Sequence, residues 1–97
     1  MDLLSQKPHD LGVDAFKTAT AQAFGDALRE ARADAQISQE GLALASGIDR
    51  TFVSMLERGI RQPSLATVFI LAESLNISPT TLIDNVHRRM RRARRIR

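Results

Sequence analysis

A single glycine constrains the middle of this chain more than any other residue. Gly47 stands between two stretches that each read as a short helix, Gln39 to Ala45 (QEGLALA) and Arg50 to Glu57 (RTFVSMLE), with Ser46-Gly47-Ile48 as the turn. Glycine enters the left-handed backbone region without steric cost, so it suits the point where a chain leaves one helix and swings into another. Ser38 can cap the first helix by accepting a backbone N–H bond, and Asp49 can do the same for the second while matching its positive dipole end. Leu42, Ile48, Val53 and Leu56 supply an inward face, and Ala43 is small enough for the two helices to approach closely.

Composition bounds what this pair can belong to. The 97 residues suffice for one small domain with a five-helix core, not for a core plus a separate ligand-binding domain. There is no cysteine, hence neither a disulfide framework nor a thiolate metal site. Nothing resembles a secretory signal and no apolar run approaches the roughly 20 residues that span a bilayer, so an intracellular, soluble protein without a membrane role is expected. The formal charge of +3 hides an asymmetry. Residues 1–84 hold seven basic side chains against all eleven acidic ones, 7 − 11 = −4, whereas the last thirteen residues hold seven arginines and no acid, +7. The basicity is a property of the tail and says little about the rest.

Taken in order, Met1 to Asp10 carries Pro8 and no sustained period and reads as a flexible lead. Val13, Phe16, Thr20, Ala23, Phe24, Ala27, Leu28 and Ala31 then share one helical face, within which Gly25 is a local weakness. After Glu57, Gly59 and Pro63 mark a loop. Ser64 can cap a helix running to about Leu75, with Leu65, Val68, Phe69, Ala72 and Leu75 completing the core. Asn76-Ile77 turns the chain, and Ser78-Pro79 starts a last helix bearing Leu82, Ile83, Val86 and Met90, with Ala93 and Ile96 continuing the stripe. Its intervening arginines repel one another at helical spacing, so its end is expected to fray after about Arg92.

At this point the chain resembles the phage repressor/Cro (Xre-type) helix-turn-helix family. The stretches SQEGLALASGI, TFVSMLERGIRQPSLATV and LAESLNISPTTL follow its pattern in order, and the resemblance covers about Phe24 to Asp84. It implies an all-α, compact, five-helix lambda-repressor-like DNA-binding domain with the helix-turn-helix in helices 2 and 3. The divisions expected are residues 1–20 as a flexible or partly helical lead, 21–84 as the domain, and 85–97 as an arginine-rich helical extension. By position in the family, Arg32 and Glu57 would form a largely buried ion pair that pins the first helix to the third, rather than two solvated charges. Arg50, Thr51, Ser54 and Met55 would read bases in the major groove. Arg50 suits a bidentate bond to guanine, and Thr51 a hydrogen bond or a thymine methyl. Met55 stands where the phage repressors often carry glutamine. Gln39, Arg58 and Arg61 would meet phosphates, and Phe52 would either touch sugar and methyl groups or pack beside the turn. Gly41 departs from the family's usual glutamate.

The function these residues imply is a sequence-specific transcription regulator, a repressor, binding a pseudo-palindromic double-stranded DNA operator as a homodimer. The expected dimer interface is Leu82, Ile83, Val86 and Met90. The arginine end, with Arg88, Arg89, Arg91 and Arg92, would add polyanion contacts or serve only as a solubilising end. A cytoplasmic, nucleoid-associated place follows, and no cofactor or metal is expected. An enzyme is hard to build here: His9 and His87 lie far apart, and neither a glycine-rich phosphate loop nor a zinc spacing occurs. Two rival readings are an antitoxin-like or adaptor module whose last helix holds another protein, and a nonspecific RNA- or nucleoid-binding protein driven by the arginines.

Overall fold

The computed structural model describes residues 12–96, with side chains described as far as Arg92. The lead from Met1 to Leu11, His9 within it, and the side chains of Ala93 to Arg97 lie outside the described residues. Five helices follow in order: α1, Val13–Asp34; α2, Gln39–Ser46; α3, Arg50–Glu57; α4, Leu65–Ser74; and α5, Pro79–Ile96.

Local chemistry explains where they start. The Ser38 hydroxyl accepts from the Gly41 N–H at 2.9 Å, the Ser64 hydroxyl from the Thr67 N–H at 3.0 Å, and the Ser78 hydroxyl from the Thr80 N–H at 3.1 Å. The ends of four helices are built alike. Gln36, Gly47, Gly59 and Asn76 all take positive φ, and each is followed by an isoleucine. At three of them the isoleucine N–H reaches back over the helix end: Ile37 to Arg32 O, Ile60 to Met55 O and Ile77 to Ala72 O, at 3.0 to 3.1 Å. These bonds satisfy orphan carbonyls of the last turn, and Ile37 and Ile77 also pack back against the core, whereas Ile60 stays exposed. Gly47 makes the simpler bond, its N–H to Ala43 O at 2.9 Å.

The core takes Phe24, Ala27 and Leu28 from α1, Leu42 from α2, Val53 and Leu56 from α3, Val68, Leu71, Ala72 and Leu75 from α4, and Leu82, Val86 and Met90 from α5. α1 packs chiefly on α5 and next on α3, α2 lies against α3 and α4, and α4 meets α5 at a bend of 112°. No single described helix is long and apolar enough to cross a membrane.

The molecule is elongated, 39 × 21 × 21 Å, because α1 and α5 run side by side beyond the other helices. This changes the division expected from the sequence, whose boundaries after Thr20 and Asp84 both fall inside helices. Phe16 is packed on the core and the Thr20 hydroxyl lies 3.9 Å from Met90 Sδ, so the residues before Ala21 and after Asp84 cover each other. Farther along, Glu30 Oε1 accepts from Asn85 Nδ2 at 2.6 Å and from Arg89 Nη2 at 2.8 Å.

The expected subunit interface is therefore corrected. Leu82, Val86 and Met90 are 1%, 7% and 4% exposed because they face α1 within the same chain, and of the four residues only Ile83, at 46%, remains outside. The inward face of α4 is corrected as well. Val68, Leu71, Ala72 and Leu75 are buried, whereas Leu65 and Phe69 are 72% and 54% exposed. A helix that is apolar nearly all round cannot bury every face against a single neighbouring layer.

Gly25 is not merely a weakness in α1. A Cβ there would lie 2.5 Å from the Leu56 carbonyl oxygen and 2.6 Å from that of Glu57, so the absent side chain lets α1 cross directly over the end of α3. Gly41 also acquires a reason: a Cβ would sit 2.7 Å from Ile37 Cγ1, where Ile37 folds onto the core.

Candidate nucleic-acid interface

The helix-turn-helix occupies α2 and α3, with Gly47 at φ 76° as its hinge. α2 runs one residue farther than expected, through Ser46, whose hydroxyl then accepts from the Ile48 N–H at 3.1 Å and stiffens the turn. Asp49 stands at the cap position of α3, but its side chain makes no capping hydrogen bond. This corrects the expected cap: Asp49 supplies only a negative charge at the positive end of the helix.

Behind the pair lies a buried polar cluster. Glu57 is 2% exposed, and Arg32 donates from Nε to its Oε2 at 2.7 Å and from Nη2 to its Oε1 at 3.1 Å. The same Oε1 accepts from Gln39 Nε2 at 3.0 Å, and Arg32 Nη1 donates to the Ile37 carbonyl at 3.0 Å. The hydrogen bonds to Glu57 hold the guanidinium's pKa above its ordinary value, outweighing the opposing effect of burial. One carboxylate thus ties together α1, the start of α2 and the end of α3. Such a cluster fixes geometry because a buried charge deprived of its partners is costly.

Along α3 itself, Arg50 and Thr51 are exposed in the first turn and Ser54 and Met55 are half-buried. Phe52 is half-buried and packed on the core, which makes packing the principal occupation of its ring. Gln39 is also drawn inward relative to expectation. One of its amide hydrogens goes to Glu57, leaving the other and the start of α2 to face outward.

Arg58 and Arg61 are exposed on the loop after α3. That loop is tied to α1 by Gln62 Nε2, which donates to the Lys17 carbonyl at 2.5 Å, and by Gly59, where a Cβ would meet the Gln22 carboxamide oxygen at 2.8 Å. Gln22, Gly25 and Gln62 carry no mark in the sequence that singles them out for this work.

The expected arginine contacts divide. Arg89 is held by Glu30 at 2.8 Å and donates from Nε to Asn85 Oδ1 at 2.8 Å, so it serves the α1–α5 joint instead of an outside polyanion. Arg88 pairs with Asp84 one turn away at 3.2 Å, with both side chains more than half exposed, an arrangement worth little in water. Arg91 and Arg92 are exposed on α5. The acids beneath the first arginines offset the repulsion expected there, and α5 continues to Ile96. Among the described residues no group of three or more His, Asp or Glu side chains is gathered as for a metal ion.

A fold of this kind, with a hinged helix pair clamped from behind and a polar face on its second helix, defines a helix-turn-helix protein. The helix-turn-helix family model matches residues 28–82, more than half of the chain, and the chain belongs to that family of DNA-binding transcription regulators. Among its relatives is control protein C.BamHI of Bacillus amyloliquefaciens, 36% identical over 62 residues, a match that spans 63% of this chain and 76% of that one. Control protein C.SmaI of Serratia marcescens is 45% identical over 47 residues, 48% of this chain and only 56% of its own length. The crystal structure of the restriction-modification controller protein C.AhdI from Aeromonas hydrophila superposes with a TM-score of 0.62 at 45% identity, covering 64% of this chain and 94% of that one.

Proposed function

We propose that the chain is a sequence-specific regulator of the restriction-modification controller kind, acting in the cytoplasm as a repressor and binding a pseudo-palindromic operator as a homodimer. The observation that carries this reading is the pairing of an outward face on α3, Arg50, Thr51, Ser54 and Met55, with a buried Arg32–Glu57–Gln39 clamp that fixes α3 against α1 and α2. A helix enters the major groove, where every base pair shows a distinct donor and acceptor pattern, and a rigidly held helix can convert that pattern into a free-energy difference. Arg50 is assigned the bidentate bond to guanine, Thr51 and Ser54 adaptable hydrogen bonds, and Met55 an apolar contact.

The start of α2 at Gln39, together with Arg58 and Arg61, is assigned to phosphates, which set register and much of the affinity. One α3 buries too little surface for high specificity, so two copies on two half-sites are expected. The identity to named controllers supports the regulatory class. Selection of bound duplexes from a random pool tests the whole reading. A recovered motif with two-fold symmetry and half-sites about one helical turn apart is the expected result. Recovery of no motif would overturn it.

A further inference from the structure

Where the end of α1, the end of α4 and the start of α5 converge, the fold leaves a half-open cavity of about 250 Å³. Its apolar lining comes from Ala31 and Ala35 at the α1 end, Leu75 and Ile77 at the α4 end and Leu82 of α5. Asp34 and Thr81, both exposed, complete the lining on its solvent side. No lining residue belongs to α2 or α3, so the cavity is separate from the candidate DNA face. We propose that it binds a small primary amine carried on an apolar body, an arylalkylamine, with the ammonium at Asp34 and the ring against Leu75, Ile77 and Leu82. The inference goes beyond the DNA-binding reading above and does not depend on it.

Charge selects the head group. The Asp34 carboxylate makes no hydrogen bond or ion pair among the described residues. The bonds that close the end of α1 stop at the carbonyls of Ala31, Arg32 and Ala33, which leaves those of Asp34 and Ala35 unused among the described residues. α4 ends on the same cavity, and a helix C-terminus is a negative pole. Two such poles and a carboxylate favour a cation. The opposing positive pole, at the start of α5, is already met in part by the Ser78 hydroxyl, which accepts from the Thr80 N–H. Cations nearby on the chain are engaged elsewhere, Arg32 with Glu57 and Arg89 with Glu30. Asn85, the remaining polar lining residue, donates to Glu30 and accepts from Arg89, so it bounds the cavity without serving an occupant. Volume selects the body. An apolar cavity of roughly 150 Å³ holds benzene, so this one has room for a bicyclic ring with a short chain.

The test titrates the full chain with three compounds of nearly one shape: tryptamine, a cation at neutral pH, uncharged 3-ethylindole, and anionic indole-3-propionate. Amide resonances are followed by nuclear magnetic resonance, and the thermal midpoint is recorded alongside. Tryptamine is expected to saturate with a dissociation constant on the order of 0.1–1 mM, to shift the amides of Ala31, Asp34, Ala35 and Leu82, and to raise the midpoint by mass action. 3-Ethylindole should bind the same place more weakly, and indole-3-propionate most weakly of the three. Asp34→Asn, at an exposed side chain, should keep the wild-type midpoint without ligand, weaken tryptamine roughly 3- to 10-fold and leave 3-ethylindole unchanged. Ala35→Leu, which extends an exposed side chain into the cavity, should abolish binding of both while the fold stays intact. The proposal is overturned if tryptamine fails to saturate below about ten millimolar. It is equally overturned if the shifts gather on the exposed Leu65 and Phe69 instead, if the three compounds bind alike, or if Asp34→Asn binds tryptamine as wild type does.

Discussion

Arg32 and Glu57, 25 residues apart, meet through two parallel hydrogen bonds of 2.7 and 3.1 Å in a place where the carboxylate is 2% exposed. Removing the arginine leaves a buried carboxylate with only Gln39 as a side-chain donor, so Arg32→Met is expected to cost about 3–5 kcal/mol in urea unfolding. The double variant Arg32→Met/Glu57→Leu removes the stranded charge and is expected to recover most of that loss. A double variant no more stable than Arg32→Met would show that the pair matters for some reason other than compensated burial.

Gly25 offers a sharper test of packing, since two effects oppose. Alanine gains about 1 kcal/mol in helix propensity over glycine. Its Cβ, however, would press within 2.5 Å of the Leu56 carbonyl oxygen, and a backbone atom in a capped helix end cannot yield as a flexible side chain can. Overpacking of this kind is expected to win, for a net destabilisation of about 1–3 kcal/mol seen as a lower thermal midpoint. A stabilised Gly25→Ala would mean that α1 and α3 approach less closely than the fold requires.

At the reading face, Arg50→Ala and Thr51→Ala should flatten sequence preference while leaving the fold unchanged, since both side chains are exposed. The expected effect is about 1–3 kcal/mol of discrimination for each bidentate pair removed, measured as the ratio of affinities for the selected duplex and a scrambled one. Arg58→Ala and Arg61→Ala should instead weaken both duplexes alike and lower the salt slope by about 0.9 for each phosphate no longer neutralised. Selectivity that survives Arg50→Ala/Thr51→Ala would remove α3 from base reading.

How far the sequence reveals the fold depends on how local each cause is. Ser38, Ser64 and Pro79 mark helix starts by themselves, and Gly47 marks the hinge, so the helix-turn-helix is legible from a few adjacent residues. Gln36 takes a left-handed φ of 58° with no glycine to announce it, so the end of α1 carries no compositional signal. α4 resists such a reading because LATVFILA is apolar on every side, and periodicity cannot choose between Phe69 outward and Leu71 inward. The α1–α5 joint leaves no local trace because it joins residues far apart in the chain, 70 positions for Thr20 and Met90 and 59 for Glu30 and Arg89. The Arg32–Glu57 pair follows from family resemblance, but the share of Gln39 in it does not, since a glutamine at a helix start looks equally suited to a phosphate.

Glu30 gives the α1–α5 joint a pH dependence. The Asn85 hydrogen bond, and next that of Arg89, lower its carboxyl pKa from the ordinary 4.5. A carboxylate with a lower pKa folded than unfolded stabilises the fold above the unfolded value, and the contribution fades as pH falls from 4.5 through the lower folded value. Wild type and Glu30→Gln should therefore differ in thermal midpoint at neutral pH, wild type the higher, and converge as the solution is acidified through that window. A difference that persists unchanged at low pH would exclude Glu30 ionisation as its source.

The arginine end can be separated from the fold by two truncations with opposite expectations. Ending the chain after His87 removes Arg89 with its Glu30 pair and Met90 from the core, so α1 loses the cover over Phe16 and Thr20 and the thermal midpoint should fall. Any loss of DNA affinity in that form would confound charge with stability. Ending it after Arg92 keeps both residues and removes Arg94, Arg95 and Arg97. The midpoint should then stay near wild type, and if those arginines meet phosphates the salt slope of DNA binding should drop by about 0.9 for each phosphate they neutralise, with base preference unaltered. An unchanged slope in this stable truncation would exclude the three arginines from the DNA interface.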